Sequence, residues 1–219
     1  MNPKRYYHYT NDTLRNGEPI PAVGEWLVHK GKLLACESGL HASEHPFDAL
    51  THAPGNILHQ VELGGEILTH GDPVDKVVAQ RRKIVKSLDA DKLLRQFARR
   101  VALDVLPLWK DAPGVVKRYL KTGDESIRAA ASAAARAASR AAAEAAAWDA
   151  SRAAAWAAAR DASAAGGVSA AWDASAAAWD AAGAAAGAAA RDATTKKYRQ
   201  WFLEMVQDEF AKAATEGKV

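Results

Sequence analysis

A twelve-residue alanine-rich repeat is the feature that most constrains the fold of this chain. Residues 141–164 read AAAEAAAWDASRAAAWAAARDASA, and the pattern extends over residues 129–176. Alanine has the highest helix propensity of the amino acids, so the repeat predicts long helices. Twelve residues make about 3.3 helical turns, so each repeat rotates its large side chains by roughly 120°. The repeat therefore has no constant face, which argues against a coiled-coil seam or an ice-binding ridge.

Four tryptophans of the repeat region are predicted to form interfaces between alanine-rich helices, because Trp at helical spacing usually packs against a neighbouring helix. They are Trp148, Trp156, Trp172 and Trp179. Gly166-Gly167 predicts a turn between two long helices, over about 124–165 and about 168–213. Alanine faces let helices approach closely, so we expect a homo-oligomer.

Shorter helices are predicted just before the repeat. Apolar residues recur three or four positions apart from residue 89 onward, which predicts a helix over about 89–109 that Pro107 kinks or ends. A second helix over about 113–122 is closed by Gly123. Residues 89–219 thus form the predicted alanine-rich helical domain.

Residues 1–88 have a different composition, rich in Gly, Pro and His, with short β-type stretches between turn signals. One helix is predicted in SEHPFDALTHA, where Ser43 can cap and Pro46 suits the first turn. QRRKIVK at residues 80–86 is predicted to be a strand with one solvated face. The predicted fold class is α+β: a small, mostly antiparallel N-terminal domain followed by an alanine-rich long-helix hairpin or bundle.

Charge and cysteine content argue against several classes of function. The formal net charge is only +3 at pH 7, so nucleic-acid binding is not expected. Cys36 is the only cysteine, which excludes an intramolecular disulfide and fits a reducing compartment. The start lacks the apolar core of a signal peptide, and no stretch approaches about 20 large apolar residues. We therefore expect a cytoplasmic protein with no membrane contact.

The stretch CESGLHASEH holds the densest set of polar side chains. Together with the N-terminal YHYT it supplies the candidate ligand-binding residues, which are His8, Cys36, His41, Ser43 and His45. Cys36, His41 and His45 have spacings that a zinc site could use, but no second paired motif anchors one. The alternatives are a Cys36 thiol activated by an imidazole, or a plain strand-turn-helix junction. No catalytic residue is assigned, and no metal or other cofactor is expected.

The order of YHYT, SGLHAS, a helix and the strand NILHQVELGG resembles that of ADP-ribosyltransferase-type folds. This resemblance implies NAD as the ligand, in a pocket lined by His8, His41 and Ser43. The chain departs from that pattern in two places. An aromatic residue is absent at the His41 position, and no glutamate in a clear strand context follows QRRKIVKSL.

A second resemblance covers nearly the whole chain. CESGLHASEHPFDAL, HQVELGGEI, DKVVAQRRKIV and DADKLLRQFARRVALDVLPLW, followed by YLKTGDESIRAAASAAARAA, closely resemble an uncharacterised family of phages and actinobacteria. The helical half is also similar to alanine-rich domains described as immunity proteins. The resemblance implies a two-part architecture, a phage or mobile-element setting and a host-cell cytoplasmic location, and it assigns no catalytic residues.

Two functions are therefore predicted. The first is a non-enzymatic interaction protein of anti-defence or immunity type, with a host defence protein as partner and a helical half that serves packing or oligomerisation. The second is a small-ligand or nucleotide-binding protein with an N-terminal pocket. Its extreme form is an ADP-ribosyltransferase-like activity with NAD, and zinc is the other alternative cofactor.

Overall fold

A computed structural model describes residues 4–144 and 188–217 of the chain. The predicted α+β class is confirmed, because an antiparallel sheet precedes a set of helices. The chain divides into two compact units: the N-terminal unit, which ends at Ala90 and also takes in the chain from Leu203 onward, and the helical unit, which spans Asp91–Phe202. The four interface tryptophans and the predicted Gly166-Gly167 turn lie outside the described residues.

Five antiparallel strands form the sheet of the N-terminal unit. They are β1 (Tyr6–Thr10), β2 (Trp26–Val28), β3 (Leu40–Ala42), β4 (Ile57–His70) and β5 (Lys76–Asp89). The hydrogen-bonded order is β1-β4-β5-β2, and β3 also pairs with β5. The short helix α1 (Pro46–Leu50) follows β3. The long β4-β5 hairpin is therefore the centre of the sheet.

The sheet closes on itself through Ser43, which follows β3. Ser43 and Tyr7 of β1 exchange two backbone hydrogen bonds, of 2.8 and 2.9 Å. Since β1 pairs with β4, β4 with β5 and β5 with β3, four strands form a continuous circuit with an inner face. The apolar part of that face is formed by Tyr6, Ala42, Val61, Val77 and Ile84.

The loop before β3 approaches β5 closely at Gly39. A Cβ atom at this position would lie 2.3 Å from Cγ2 of Val78, and the φ angle of Gly39 is +123°. In the same loop Cys36 has a φ of 68°, in the left-handed region. That conformation costs a non-glycine residue roughly 1 kcal/mol. The loop is thus strained at Cys36 and tightly packed at Gly39, where β3 begins.

The described helices of the chain are α2 (Asp91–Val105), α3 (Gly114–Thr122), α4 (Arg128–Glu144) and α5 (Ala188–Thr215). Pro107 lies in the 3-10 turn that follows α2, and Gly123 ends α3 in the left-handed conformation. The rings of Phe97 and Phe202 pack 4.8 Å apart, centroid to centroid. None of the helices in the described part has both the length and the apolar character that a membrane span requires.

Candidate functional site

A row of polar side chains crosses three strands on the inner face of the N-terminal sheet. Side chains alternate along a strand, so His8 and Thr10 lie on the same face of β1 as the core residue Tyr6. His8 is directly opposite His59 of β4, and His59 is directly opposite Ser87 of β5. We call His8, Thr10, His59, Arg82 and Ser87, together with His41, which contributes its backbone carbonyl, the polar cluster.

His59 is held between two hydroxyl groups. Its Nε2 lies 2.8 Å from Oγ1 of Thr10, and its Nδ1 lies 2.8 Å from Oγ of Ser87. Burial, with a smaller contribution from the charge of Arg82, lowers the pKa of His59 to about 4. A neutral imidazole donates from one nitrogen and accepts at the other. One of the two hydroxyls therefore accepts from His59 and keeps its own proton for another acceptor, which no described residue supplies.

His8 provides a second imidazole beside His59. The two rings are 6.4 Å apart between centroids and are inclined by 24°. Burial is the main cause that lowers the pKa of His8 well below its ordinary value, and the charge of Arg82 adds to it. Its ring nitrogens make no hydrogen bond to any residue that the structure describes. Neutral His8 thus offers one N–H donor and one acceptor nitrogen.

Arg82 of β5 is the charged member of the polar cluster. Its Nη1 donates to the carbonyl oxygen of His41 at 2.6 Å, and the residue is only 7% exposed. Burial lowers the pKa of Arg82 to about 10, so the guanidinium remains protonated near neutral pH. Its charge lowers the pKa of His8, His41 and His59. Within residues 4–144 and 188–217, no carboxylate pairs with it.

The polar cluster is partly exposed at His8, whereas Thr10, His59 and Arg82 are buried. Each nitrogen of the Arg82 side chain either has a hydrogen-bond partner or keeps some contact with solvent. The guanidinium N–H groups that do not bind His41 therefore keep a path to solvent.

His41 is oriented by its own loop. Its Nε2 accepts a hydrogen bond from the backbone N–H of Cys36 at 3.2 Å, so the ring proton lies on Nδ1. Burial is the largest cause that lowers the pKa of His41, followed by the charge of Lys76. This arrangement fixes the His41 backbone, whose carbonyl binds Arg82.

The five residues predicted to bind a ligand divide between the polar cluster and its supports. His8 and His41 belong to the cluster. Ser43 is buried, and its backbone closes the sheet. His45 caps α1, where its Nδ1 accepts a backbone N–H at 3.1 Å. Cys36 is exposed and contributes its backbone N–H to His41.

The residues with zinc-type spacing have other partners in the structure. Nε2 of His41 and Nδ1 of His45 each accept a backbone N–H. In the described part of the chain, no three His, Cys, Asp or Glu side chains are grouped so that they could hold a metal ion. Cys36 lies in the loop before β3, His41 lies in β3, and His45 is the N-cap of α1.

Sequence reasoning missed Arg82, Thr10 and Ser87, and it offered His59 only as a possible fourth ligand of the zinc alternative. The prediction of a strand over QRRKIVK agrees with β5, in which Arg81 is exposed and Arg82 is buried. Adjacent residues on a regular strand point to opposite faces, so one of two neighbouring arginines is expected on the buried face. Two neighbouring arginines in a strand were the signal that one of them points inward.

The N-terminal unit is thus an antiparallel β domain with a cationic, donor-rich cluster on its inner face. Residues 5–96 match a family model described as a domain of unknown function, DUF7666. The matched range contains all five strands, α1 and every residue of the polar cluster. No curated protein and no solved structure matches the chain.

Proposed function

We propose that the N-terminal unit binds a small anionic ligand, the phosphate group of a nucleotide or a related metabolite, at the polar cluster. The observation that carries this proposal is Arg82, a buried guanidinium for which no described residue supplies a carboxylate. An unpaired buried charge is costly, and proteins normally pair such groups. A bound anion would supply the missing negative charge through charge-assisted hydrogen bonds.

The other groups of the polar cluster favour a ligand rich in acceptor oxygens. Arg82 has several N–H donors, and one of them binds the carbonyl of His41. His8 carries an unengaged ring N–H, and either Thr10 or Ser87 keeps a hydroxyl proton. The cluster thus has more donors than acceptors. A phosphate group presents several strong acceptor oxygens, which matches that surplus.

Nucleotide binding is the second of the two functions that the sequence predicts. The positions of His8, His41 and Ser43 also underlie the resemblance to ADP-ribosyltransferase-type folds, so NAD belongs among the nucleotides to be tested. No catalytic role is assigned to any residue. The interaction function, its host partner and the phage setting stay predictions, because the tryptophans on which the helical interface depends lie outside the described residues.

Calorimetric titration with inorganic phosphate, AMP and NAD tests the proposal. Arg82→Gln removes the buried charge, and Arg81→Gln is the matched control, because Arg81 is exposed and its guanidinium lies 5.3 Å from the Trp26 ring. A hydrogen bond to a charged group contributes about 1.5–3 kcal/mol, which corresponds to an affinity loss of about tenfold to a hundredfold.

The expected result is that the wild type and Arg81→Gln bind at least one phosphate compound with similar affinity, while Arg82→Gln binds it at least about tenfold more weakly. Equal affinities for the two variants would overturn the proposal. So would a folded wild-type protein that binds none of the three compounds.

A further inference from the structure

We infer that His8 takes up a proton when the anion binds, so that the polar cluster selects a dianionic group, a phosphate monoester, over a carboxylate or a bridging phosphate diester. This inference rests on the proposed anion site. It names His8 as the residue that determines specificity, and it predicts that affinity rises as the pH falls.

Among the imidazoles of the polar cluster, His8 is the one that can take up a proton when a ligand binds. It is partly exposed, and its ring nitrogens have no hydrogen-bond partner among the residues described. Both nitrogens of the buried His59 already face hydroxyl groups. A proton on Nε2 of His41 would oppose the backbone N–H of Cys36 that this atom accepts. A proton that enters the cluster with the ligand therefore goes to His8.

The electrostatics of the cluster favour this step. The titratable groups whose charge affects the pKa of His8 are Arg82 from β5, His59 from β4 and His41 from β3. Of these groups only Arg82 is charged near neutral pH, and it opposes a proton on His8. An anion bound to Arg82 neutralises that charge, and negative charge near an imidazole favours the imidazolium form. Ligand binding and proton binding at His8 therefore strengthen each other.

The same charge balance distinguishes between classes of anion. A carboxylate or a bridging phosphate diester carries one negative charge, which the guanidinium of Arg82 alone can balance. A phosphate monoester carries a second charge at neutral pH. Protonated His8 is the group that can balance this second charge.

Inorganic sulfate is the probe that isolates the protonation of the protein, because sulfate itself remains a dianion throughout the neutral range. Its affinity is measured by calorimetry from about pH 8 to about pH 6 for the wild type, His8→Gln and His70→Gln. His70 is an exposed histidine at the end of β4 and serves as the matched control.

We expect the wild type and His70→Gln to bind sulfate up to about tenfold more tightly for each unit of pH decrease, the slope for uptake of one proton. His8→Gln should show no such slope. A wild-type affinity that does not change with pH, or a His8→Gln slope equal to that of the wild type, would overturn the inference and leave Arg82 as a simple anion site. Failure of sulfate, phosphate and AMP alike to bind would remove the proposed function as well.

A second measurement does not depend on the folding of a variant. Titrations of the wild type with sulfate in buffers of different ionisation enthalpy give the number of protons taken up, which should approach about one per bound anion. Uptake near zero would contradict the inference.

AMP that binds more tightly than inorganic phosphate would identify a nucleotide as the source of the monoester, and equal affinities would identify free phosphate. NAD, whose phosphates are bridging diesters, should bind more weakly than AMP, and the reverse order would contradict the selectivity.

Discussion

Asp104 of the helical unit and Arg82 of the N-terminal unit are charged groups with different kinds of partner. In the helical unit, Oδ2 of Asp104 accepts hydrogen bonds from Nζ of Lys197 at 2.5 Å and from the hydroxyl of Tyr198 at 2.9 Å. In the N-terminal unit, Arg82 is buried with a backbone carbonyl as its hydrogen-bond acceptor. A charge that supports a fold is normally paired, because an unpaired buried charge lowers stability.

Two arginines of the helical unit, Arg95 and Arg128, are also paired with groups of opposite charge. Arg95 pairs with Asp91 one turn earlier in α2, and its Nη1 lies 3.9 Å from Glu125. Arg128 also contacts Glu125, at 3.2 Å. The contrast with Arg82 separates ions that stabilise the fold from an ion that is available to a ligand.

Acidification should destabilise the N-terminal unit through His59, which is buried and neutral. The pKa of His59 is about 4 in the folded protein, against an ordinary value of 6.5. Between these two pH values the unfolded chain binds a proton that the folded chain does not, so the free energy of unfolding falls as the pH falls. The loss reaches about 3 kcal/mol near the folded-state pKa. His8 and His41, whose pKa values are also lowered, act in the same direction.

Urea titrations between pH 6.5 and pH 4 check this prediction, since these limits are the two pKa values of His59. His59→Gln should give a shallower dependence of the unfolding free energy on pH than the wild type. His70→Gln, at an exposed position, should keep the wild-type dependence. Parallel curves for the wild type and His59→Gln would show that His59 is not a buried neutral group.

Asp104→Ala should destabilise the helical unit by about 1–3 kcal/mol, because it leaves the buried hydroxyl of Tyr198 without its acceptor. The double variant Asp104→Ala with Tyr198→Phe removes both partners and should recover part of that loss. Denaturant unfolding of the single and double variants provides the measurement. If the single variant were as stable as the wild type, the pairing of Asp104 would not support the fold, and the contrast with Arg82 would disappear.

Arg82→Met should instead raise the free energy of unfolding, by about 1 kcal/mol in the absence of ligand. Burial lowers the pKa of Arg82 from 12.5 to about 10, which corresponds to about 3 kcal/mol of lost solvation. The hydrogen bond that the charged guanidinium donates to the His41 carbonyl offsets about 1.5–3 kcal/mol of that cost. Arg81→Met, at the exposed neighbouring position, should change stability by less than about 0.5 kcal/mol. Strong destabilisation by Arg82→Met would show that the guanidinium supports the fold.

Cys36→Gly should raise stability by about 0.5–1 kcal/mol, because glycine adopts the φ of 68° at Cys36 without steric cost. Cys36→Ala keeps the strain and removes only the thiol, so its stability should stay near that of the wild type. Thermal unfolding compares the two variants. Both should bind the anion like the wild type, since Cys36 contributes its backbone to the cluster. Loss of binding in Cys36→Ala would assign the thiol a direct role.

The sequence predicts the parts of this structure that local patterns determine. The change from β-type stretches to helical periodicity near residue 89 indicates the α+β class, and β5 ends at Asp89. Pro107 and Gly123 mark helix ends for local steric reasons. His8 and His41 stand out because they lie in short polar stretches next to predicted strands.

The assembly of the polar cluster depends instead on strand register. Ser87 faces His59 because the pairing of β4 with β5 shifts between Gln60 and Val61. A slip of one residue in such a pairing moves every side chain to the other face of the sheet. Arg82 reaches His41 because β3 joins the far edge of β5, which is a long-range pairing. No local pattern encodes these distances, so Arg82 and His59 could not be assigned to a site from the sequence.

Arginine side-chain NMR gives the sharpest test of whether Arg82 is an anion ligand. The Nε–H signal of Arg82, assigned by its loss in Arg82→Met, is followed while inorganic sulfate is added to the wild type. We predict a saturable shift of this signal, with no comparable shift for the exposed Arg81. The proposal that the buried Arg82 guanidinium binds an anion would be contradicted if the Arg82 signal did not shift while sulfate bound elsewhere. It would also be contradicted if no anion shifted that signal.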